Sequence, residues 1–413
     1  MERNIYLNKL IRRKHNKMIK VITGIRRCGK SYLLFELFKN HLLQEGVEKN
    51  HIIAIALDDR MNKKYRDPDA LCSYVHDQIK DEKMYYVLLD EVQMVDEFED
   101  VLNSFLHIEN VDTYVTGSNA KFLSKDIITE FRGRGDQVHL YPLSFSEFMQ
   151  VYPNDMHQGW LDYAMYGGMP KLIGMEDPSD KIAYLKGIFS ETYMKDILER
   201  NDVRNQGELE ELLDYLASAI GGLTNPKKLA DTFKSVKNVS IHQETIKTYL
   251  DYFEDSFLIQ KANRYDVKGK KYISTPAKYY FTDMGLRNTR LNFRQFEENH
   301  IMENIIYNEL LIRGYNVDVG VVEYSYYENK KRKQKQLEVD FVCNQGSKRI
   351  YIQSALALPT VEKEEQEQQS LSKINDSFKK IIIVKDGPTH YNESGILILN
   401  LFEFLMDQDS INK

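Results

Sequence analysis

The sequence predicts an α/β fold whose N-terminal part is a parallel sheet, followed by two smaller modules. Three observations predict it. Residues 18–36 read as a buried strand, a loop bounded by Gly24 and Gly29, and the start of a helix. Apolar runs of strand length then alternate with helical patterns as far as residue 140. Beyond residue 208 the pattern changes to three helices, two β-rich runs and a small α/β unit.

At 413 residues the chain exceeds one ordinary core, and the size prior gives roughly two to four domains. A hydrophobic content of 42% with 29% charged residues fits a globular protein and excludes the disordered and membrane classes. No apolar run approaches the ~18 residues of a membrane span. The start, Met1-Glu2-Arg3-Asn4-Ile5-Tyr6, lacks a signal-peptide core, so the expectation is a cytoplasmic protein with no membrane partner. Cys28, Cys72 and Cys343 are too scattered for a zinc or CxxC site, which fits a reducing compartment. The net charge of −6 excludes a uniformly basic nucleic-acid coat but leaves room for local basic faces.

Residues 1–17 read as a short basic amphipathic helix. Gly24-x-x-x-x-Gly29-Lys30-Ser31 is then a phosphate-binding loop in its proper context, with Val21 and Ile22 before it and Leu33, Leu34, Leu37 and Phe38 after it. Small residues let backbone N–H groups turn around a phosphate, and the following helix presents its positive end to the same anion. The expected ligands are ATP and Mg²⁺, held by Gly24, Ile25, Arg26, Arg27, Cys28, Gly29, Lys30, Ser31 and Tyr32. Lys30 reaches the outer phosphates and the Ser31 hydroxyl holds the metal. Cys28 sits where a thiol pKa can fall, and reads either as a redox-sensitive group or as an inert loop thiol.

His51 to Leu57 is a second strand, and a helix follows from about Pro68 to Ile79. Tyr85 to Gln93 is an apolar strand ending in Asp90 and Glu91, the end at which ligands of open α/β sheets bind. Asp90 is expected to hold Mg²⁺, and Glu91 to orient or deprotonate the attacking water. After the helix Glu97 to His107, the strand from Asp112 ends in Thr116-Gly117-Ser118-Asn119. There Asn119 or Ser118 reads either as a sensor of the γ-phosphate or as a cap for a helix beginning at Ala120. Phe131-Arg132-Gly133-Arg134-Gly135 precedes a strand at Val138 to Leu140. Arg132 and Arg134 read as arginine fingers, in cis or from a neighbouring subunit, or as a plain surface loop.

Residues 151–205 read as a helical connector or lid, with a helix from Ile188 to Glu199. Residues 206–292 hold helices at Leu209–Ala219, Pro226–Phe233 and His242–Phe253, then β-rich runs at Phe257–Ala262 and Lys278–Phe281 separated by a basic stretch from Arg264 to Lys271. Three helices and a basic hairpin make a winged helix-turn-helix. Its recognition face, Gln243, Glu244, Lys247 and Thr248, is weakly basic, so a DNA-binding and a protein-binding module both remain open. Residues 293–413 begin with a helix from Phe296 to Arg313 and form a small α/β unit. Its run Lys330-Lys331-Arg332-Lys333-Gln334-Lys335 reads as a solvated hairpin tip or a grip on a phosphate backbone.

The loop Gly-Ile-Arg-Arg-Cys-Gly-Lys-Ser, together with Leu-Leu-Asp-Glu-Val-Gln, Thr-Gly-Ser-Asn, Phe-Arg-Gly-Arg and Tyr-Pro-Leu-Ser-Phe-Ser-Glu-Phe, resembles the prokaryotic AAA-superfamily ATPases called archaeal-type ATPases. The resemblance implies an ASCE/AAA-like P-loop NTPase domain over 1–150, then the connector, the winged helix, and a restriction-endonuclease-like PD-(D/E)xK domain over 293–413. That last fold uses acidic metal ligands and a lysine, which would map to Glu303, Asp340 and Gln353, with Ala355 where the lysine belongs. A degenerate, non-cutting site is expected unless Lys348 or Lys363 takes over. The function expected is an ATP-hydrolysing switch. Its C-terminal modules would engage double-stranded DNA through the winged helix and basic hairpin, or a protein partner or second copy. An ATP-regulated nuclease and a nucleotide-stabilised scaffold are the alternatives.

Overall fold

The computed structural model describes residues 1–117, 133–201, 203, 205–237, 241–328 and 331–412. Two compact units divide the chain after Pro142. The first holds five parallel strands, β1 (Ile19–Thr23), β2 (Ile52–Ala56), β3 (Tyr85–Asp90), β4 (Val111–Thr116) and β5 (Gly135–His139), in the order β2-β3-β4-β1-β5. β1 and β3 are buried along their whole length, as strands covered on both faces must be. Ile19, Val21, Val87 and Leu89 pack with Leu71, Val75, Val101, Leu102 and Phe105 from the helices Pro68–Gln78 and Phe98–Phe105. The ring of Phe38, from the helical stretch after the loop, lies 4.3 Å from that of Tyr114.

The N-terminal helix Asn4–Arg12 buries Tyr6 and Leu10. Just before it, the buried Arg3 guanidinium donates to the carbonyls of Cys28, Tyr141 and Pro142. One further cation is sunk in the sheet. Lys20, 0% exposed, makes an ion pair with Asp112, which also accepts from the Tyr114 hydroxyl and the His15 N–H.

The second unit is built on nine strands in the order β13-β14-β12-β11-β10-β9-β7-β8-β6. In chain order they are β6 (Leu223–Thr224), β7 (Ile259–Asp266), β8 (Lys271–Phe281), β9 (Asn316–Glu328), β10 (Lys331–Gln345), β11 (Lys348–Ala355), β12 (Lys379–Val384), β13 (His390–Tyr391) and β14 (Leu397–Asn400). The boundary expected at 292/293 is therefore not a boundary in the sheet, because β7 pairs with β9 in parallel, from Arg264↔Val319 to Asp266↔Val321. The long helix Glu298–Ile312 reinforces that join. Asn304 accepts from the Phe281 N–H and donates to the Phe281 carbonyl, both at 2.7 Å, and Tyr307 stacks on Tyr280 at 4.2 Å.

The expected connector also packs inside this unit. Asn288 donates to the carbonyls of Ala164 and Met165, Asp283 accepts from the Gly168 N–H at 2.7 Å, and the Trp160 indole donates to Glu298. Two local readings gain detail. Of the stretch Arg264 to Lys271, half lies in β7 and β8 and 267–270 form the turn between them, and the basic run from Lys331 is the exposed start of β10 at the distal end of the β9–β10 hairpin. Asn225 caps the helix Pro226–Lys237, accepting from the Lys227 N–H at 3.0 Å. Among the described residues no helix is long and apolar enough to cross a membrane.

Removing one partner of a buried ion pair strands the other charge, at a cost of about 3–5 kcal/mol. Asp112→Ala should therefore lower stability by about that amount in a denaturant titration. A loss below about 1 kcal/mol would show that Lys20 reaches water.

Candidate functional site

The ends of β1, β3 and β4 meet at one edge of the first sheet, and the loop from Gly24 leaves β1 there. Gly24 has φ +142, and a Cβ on it would stand 2.1 Å from the Leu140 carbonyl oxygen, so only glycine fits. Gly29 is left-handed at φ +102 and opens the helix at Lys30. Ile25 and Cys28 are buried under the loop, Arg26 is half-buried, and Arg27, Ser31 and Tyr32 are exposed. The Lys30 ammonium, itself buried, donates to the carbonyls of Gly24 (3.0 Å) and Ile25 (3.2 Å). His139 lies beneath it, kept neutral because burial, and then the Lys30 charge, push its pKa down to about 3.

Asp90 is only 4% exposed. Burial raises its pKa, while hydrogen bonds from the hydroxyls of Thr116 and Ser31 pull it back. The Thr116 hydroxyl donates to Asp90 Oδ1 and its oxygen accepts from the Glu91 N–H at 3.0 Å. Glu91 adopts the left-handed conformation at φ 53, unusual for a glutamate, and the Gln93 amide donates to its carboxylate. Oxygen donors suit Mg²⁺. Ser31 and Asp90, near enough for the Ser31 hydroxyl to act on the Asp90 carboxylate, fit such an ion.

Sequence reasoning thus found Ser31, Asp90 and Glu91, which the structure brings together, and missed Thr116. The readable signal was its position as the last residue of a strand whose neighbour ends at Asp90. Ser118, Asn119 and Arg132 lie outside the described residues. Arg134 does not join the site. It precedes Gly135, which pairs with Ile19 at the opposite end of β1, roughly 16 Å from the loop at ~3.3 Å per residue. Of the two readings of Cys28, the structure fits the inert loop thiol. Its thiol points at the Leu140 carbonyl (3.5 Å), and burial pushes its pKa up, outweighing Lys30 and Arg3.

In the second unit Glu303, Asp340 and Gln353 do converge, around a residue that the sequence did not suggest. Lys278, on β8, puts its ammonium 2.9 Å from Glu303 and 2.7 Å from Glu338. Burial opposes that charge, but Glu303, Asp340 and Glu338 outweigh it and hold the ammonium protonated. The Tyr280 hydroxyl donates to Glu303 at 2.6 Å, and Asp340 accepts from the Ser354 N–H and hydroxyl, both at 2.8 Å. Burial, and next the Glu303 charge, push Asp340 up to about 7. Gln353 Oε1 accepts from the Ser370 hydroxyl. Lys348 is exposed at the far end of β11 and Lys363 pairs with Glu367, so neither expected lysine takes the role. With an ammonium among its carboxylates, this donor set does not fit a divalent metal.

Family models match an AAA domain over residues 16–149, a domain of unknown function (DUF8612) over 157–297 and another (DUF4143) over 298–404. The first unit is an AAA-type P-loop fold. An uncharacterized protein of Haemophilus influenzae is 32% identical, with 98% of each chain covered. The uncharacterized protein MJ1544 of Methanocaldococcus jannaschii is 29% identical over 84% of this chain and 76% of its own. Among solved structures, Orc1 of Aeropyrum pernix in complex with DNA aligns over 70% of this chain and 92% of its own at TM-score 0.31 and 10% identity. AMPPCP-bound DnaA of Aquifex aeolicus aligns over 60% and 86% at TM-score 0.29 and 14% identity. Likenesses this distant carry no weight for function.

The buried, pKa-raised Cys28 should resist alkylation. At mildly alkaline pH, iodoacetamide should modify the half-buried Cys72 well before Cys28, read by peptide mass mapping. Equal rates would show that the loop opens.

Proposed function

We propose that this chain, which belongs to the same family as the Haemophilus influenzae protein, is an ATP-binding, Mg²⁺-dependent ATP hydrolase whose second unit engages a macromolecular partner. The observation that carries the first part is the Asp90–Thr116–Glu91 chain of hydrogen bonds, with the Ser31 hydroxyl close enough to Asp90 to lower its pKa, beside the Gly24–Ser31 loop. In this reading the loop N–H groups and Lys30 bind the β- and γ-phosphates. Ser31 and Asp90 hold Mg²⁺, which when bound draws charge from the phosphate oxygens. Glu91 orients and deprotonates the attacking water, with Gln93 and Thr116 fixing its carboxylate and its backbone. The alternative roles of Ser118 or Asn119 as γ-phosphate sensor, and of Arg132 as a finger, stay proposals. For Arg134 only action on a neighbouring subunit's nucleotide is compatible with its distance from its own loop.

For the second unit, three helices (Gln206–Ser218, Pro226–Lys237, Gln243–Asp255) followed by the β7–β8 hairpin support the winged-helix reading. The exposed face Gln243, Glu244, Lys247, Thr248 argues against base readout, since its one lysine pairs with Glu244 at 2.9 Å. Phosphate contact falls instead to the exposed turn carrying Lys268, Lys270 and Lys271. A nuclease reading is disfavoured because Lys278 already neutralises Glu303 and Glu338.

Lys30→Ala should abolish ATP binding in a filter or anisotropy assay. Glu91→Gln should keep binding and slow phosphate release by roughly 10²–10⁴. A Lys30→Ala protein turning over at full rate would sink the assignment, and a wild-type protein that binds ATP without releasing phosphate would favour the scaffold alternative. Thr116→Val should weaken turnover by about 1–3 kcal/mol of lost stabilisation, with Thr116→Ser restoring it. Supercoiled plasmid incubated with protein, Mn²⁺ and ATP should stay intact. Nicking that disappears in Asp340→Ala would revive the nuclease.

A further inference from the structure

Arg3 stands just before the helix Asn4–Arg12, and it is 0% exposed. The helix holds it in place. Its carbonyl accepts from the N–H groups of Tyr6 and Leu7, both at 3.0 Å, and its guanidinium lies 4.7 Å from the centre of the Tyr6 ring. The hydroxyl of the buried Tyr6 in turn accepts from the Tyr141 N–H at 3.3 Å. So anchored, the guanidinium forks to three carbonyls, those of Cys28 and Tyr141 at 2.9 Å and that of Pro142 at 3.2 Å. Two of these belong to the stretch that follows β5, and the third belongs to the phosphate loop itself.

That third bond sets a direction. In a trans peptide the C=O and the next N–H share one plane and point opposite ways. A Cys28 carbonyl held from the buried side by Arg3 therefore turns the Gly29 N–H to the other side of the loop. Arg27 at φ 66 and Gly29 at φ +102 are both left-handed, so this peptide lies in a turn that persists only where its surroundings over-determine it. Among the described residues the Gly29 N–H meets no acceptor, and Gly29 itself is half-buried.

We propose that Arg3 is a positioning residue for the nucleotide: by holding the Cys28 carbonyl, it aims the Gly29 N–H at a phosphate of bound ATP. The inference rests on the reading of the loop as an ATP site. Attraction of phosphate by one more buried cation is a separate effect. Lysine would supply it, because lysine keeps the charge but lacks the planar fork that reaches several acceptors at once.

Cys28-Gly29 is the sole Cys-Gly step in the sequence. Labelling cysteine carbonyls with ¹³C and glycine nitrogens with ¹⁵N therefore gives one carbonyl-correlated amide signal, from the peptide in question. In the full wild-type chain, a saturating non-hydrolysable ATP analogue with Mg²⁺ should move that signal downfield. In Arg3→Met and Arg3→Lys the movement should be lost, and the affinity, read by anisotropy of a labelled analogue, should fall roughly 10- to 150-fold, the range for one hydrogen bond to a charged group. Asp112→Ala weakens the same unit from its contacts with Lys20, Tyr114 and His15, away from the loop, and should keep both affinity and signal. Circular dichroism confirms that the variants fold, and Arg3→Lys carries the test if Arg3→Met does not. No binding by the wild type would sink the ATP reading and this proposal with it. Wild-type binding with an unmoved signal, an Arg3→Lys protein that binds and shifts like the wild type, a loss of affinity in which the signal still moves, or an equal loss in Asp112→Ala would each overturn the role of Arg3 alone.

Discussion

One buried carboxylate governs the first unit. An ionised Asp90 at 4% exposure would cost several kcal/mol if it were left without partners. Its partners come from two different elements, the Thr116 hydroxyl at the end of β4 and the Ser31 hydroxyl in the first turn after the loop. That requirement ties together features that look independent. β4 has to lie between β1 and β3, the helix has to begin at Lys30, and Gly24 has to be a glycine so that the loop can pass under the Leu140 carbonyl. The same Thr116 oxygen then takes the Glu91 N–H, which holds the next residue in a left-handed turn that a glutamate does not adopt freely.

The second unit solves the same problem in the opposite way. Glu303, Glu338 and Asp340 are gathered at the meeting of the helix Glu298–Ile312 with β10, and their charge is met from within by the Lys278 ammonium, the Tyr280 hydroxyl and Ser354. An oxygen pair such as Ser31 and Asp90, with Ser31 exposed, leaves coordination to be completed from outside. A carboxylate cluster already holding an ammonium does not. The two acidic groupings that the sequence suggested are thus chemically unlike, and the difference is decided by one lysine contributed by a strand far away in the chain.

What the sequence disclosed follows the range of the interactions involved. The loop, the buried strands β1 and β3 and the acidic strand end are local patterns, and each of their elements was legible to within a few residues. Thr116 was passed over for Ser118 and Asn119 because register, not residue type, decides which side chain reaches Asp90. Lys278 was invisible for a similar reason. A lone lysine in Ala277-Lys278-Tyr279-Tyr280-Phe281 carries no motif, and only the tertiary fold, which brings Glu303 of the helix Glu298–Ile312 and Glu338 and Asp340 of β10 to it, gives it three acidic neighbours. For Cys28 the sequence left two readings open, because a helix N-terminus lowers a thiol pKa only where solvent reaches it, and burial decides for the inert one. The division at 292/293 followed a change of pattern along the chain, while the sheet closes across it through β7 and β9.

Register also changes the meaning of the basic run. Read as a tip, Lys330 to Lys335 is a cloud of charge with no direction. Paired as a strand, Lys331, Lys333 and Lys335 share one face with Tyr324 and Tyr326 of β9, and Arg332 stands on the other. The chain as a whole carries −6, and the neighbouring helix Val361–Ser372 contributes Glu362, Glu364, Glu365 and Glu367. A polyanion meeting this protein is therefore repelled over most of the surface, and attraction is confined to local basic faces. Such a background makes a short basic face more selective than the same face on a basic protein, because misplaced encounters cost energy instead of merely gaining less.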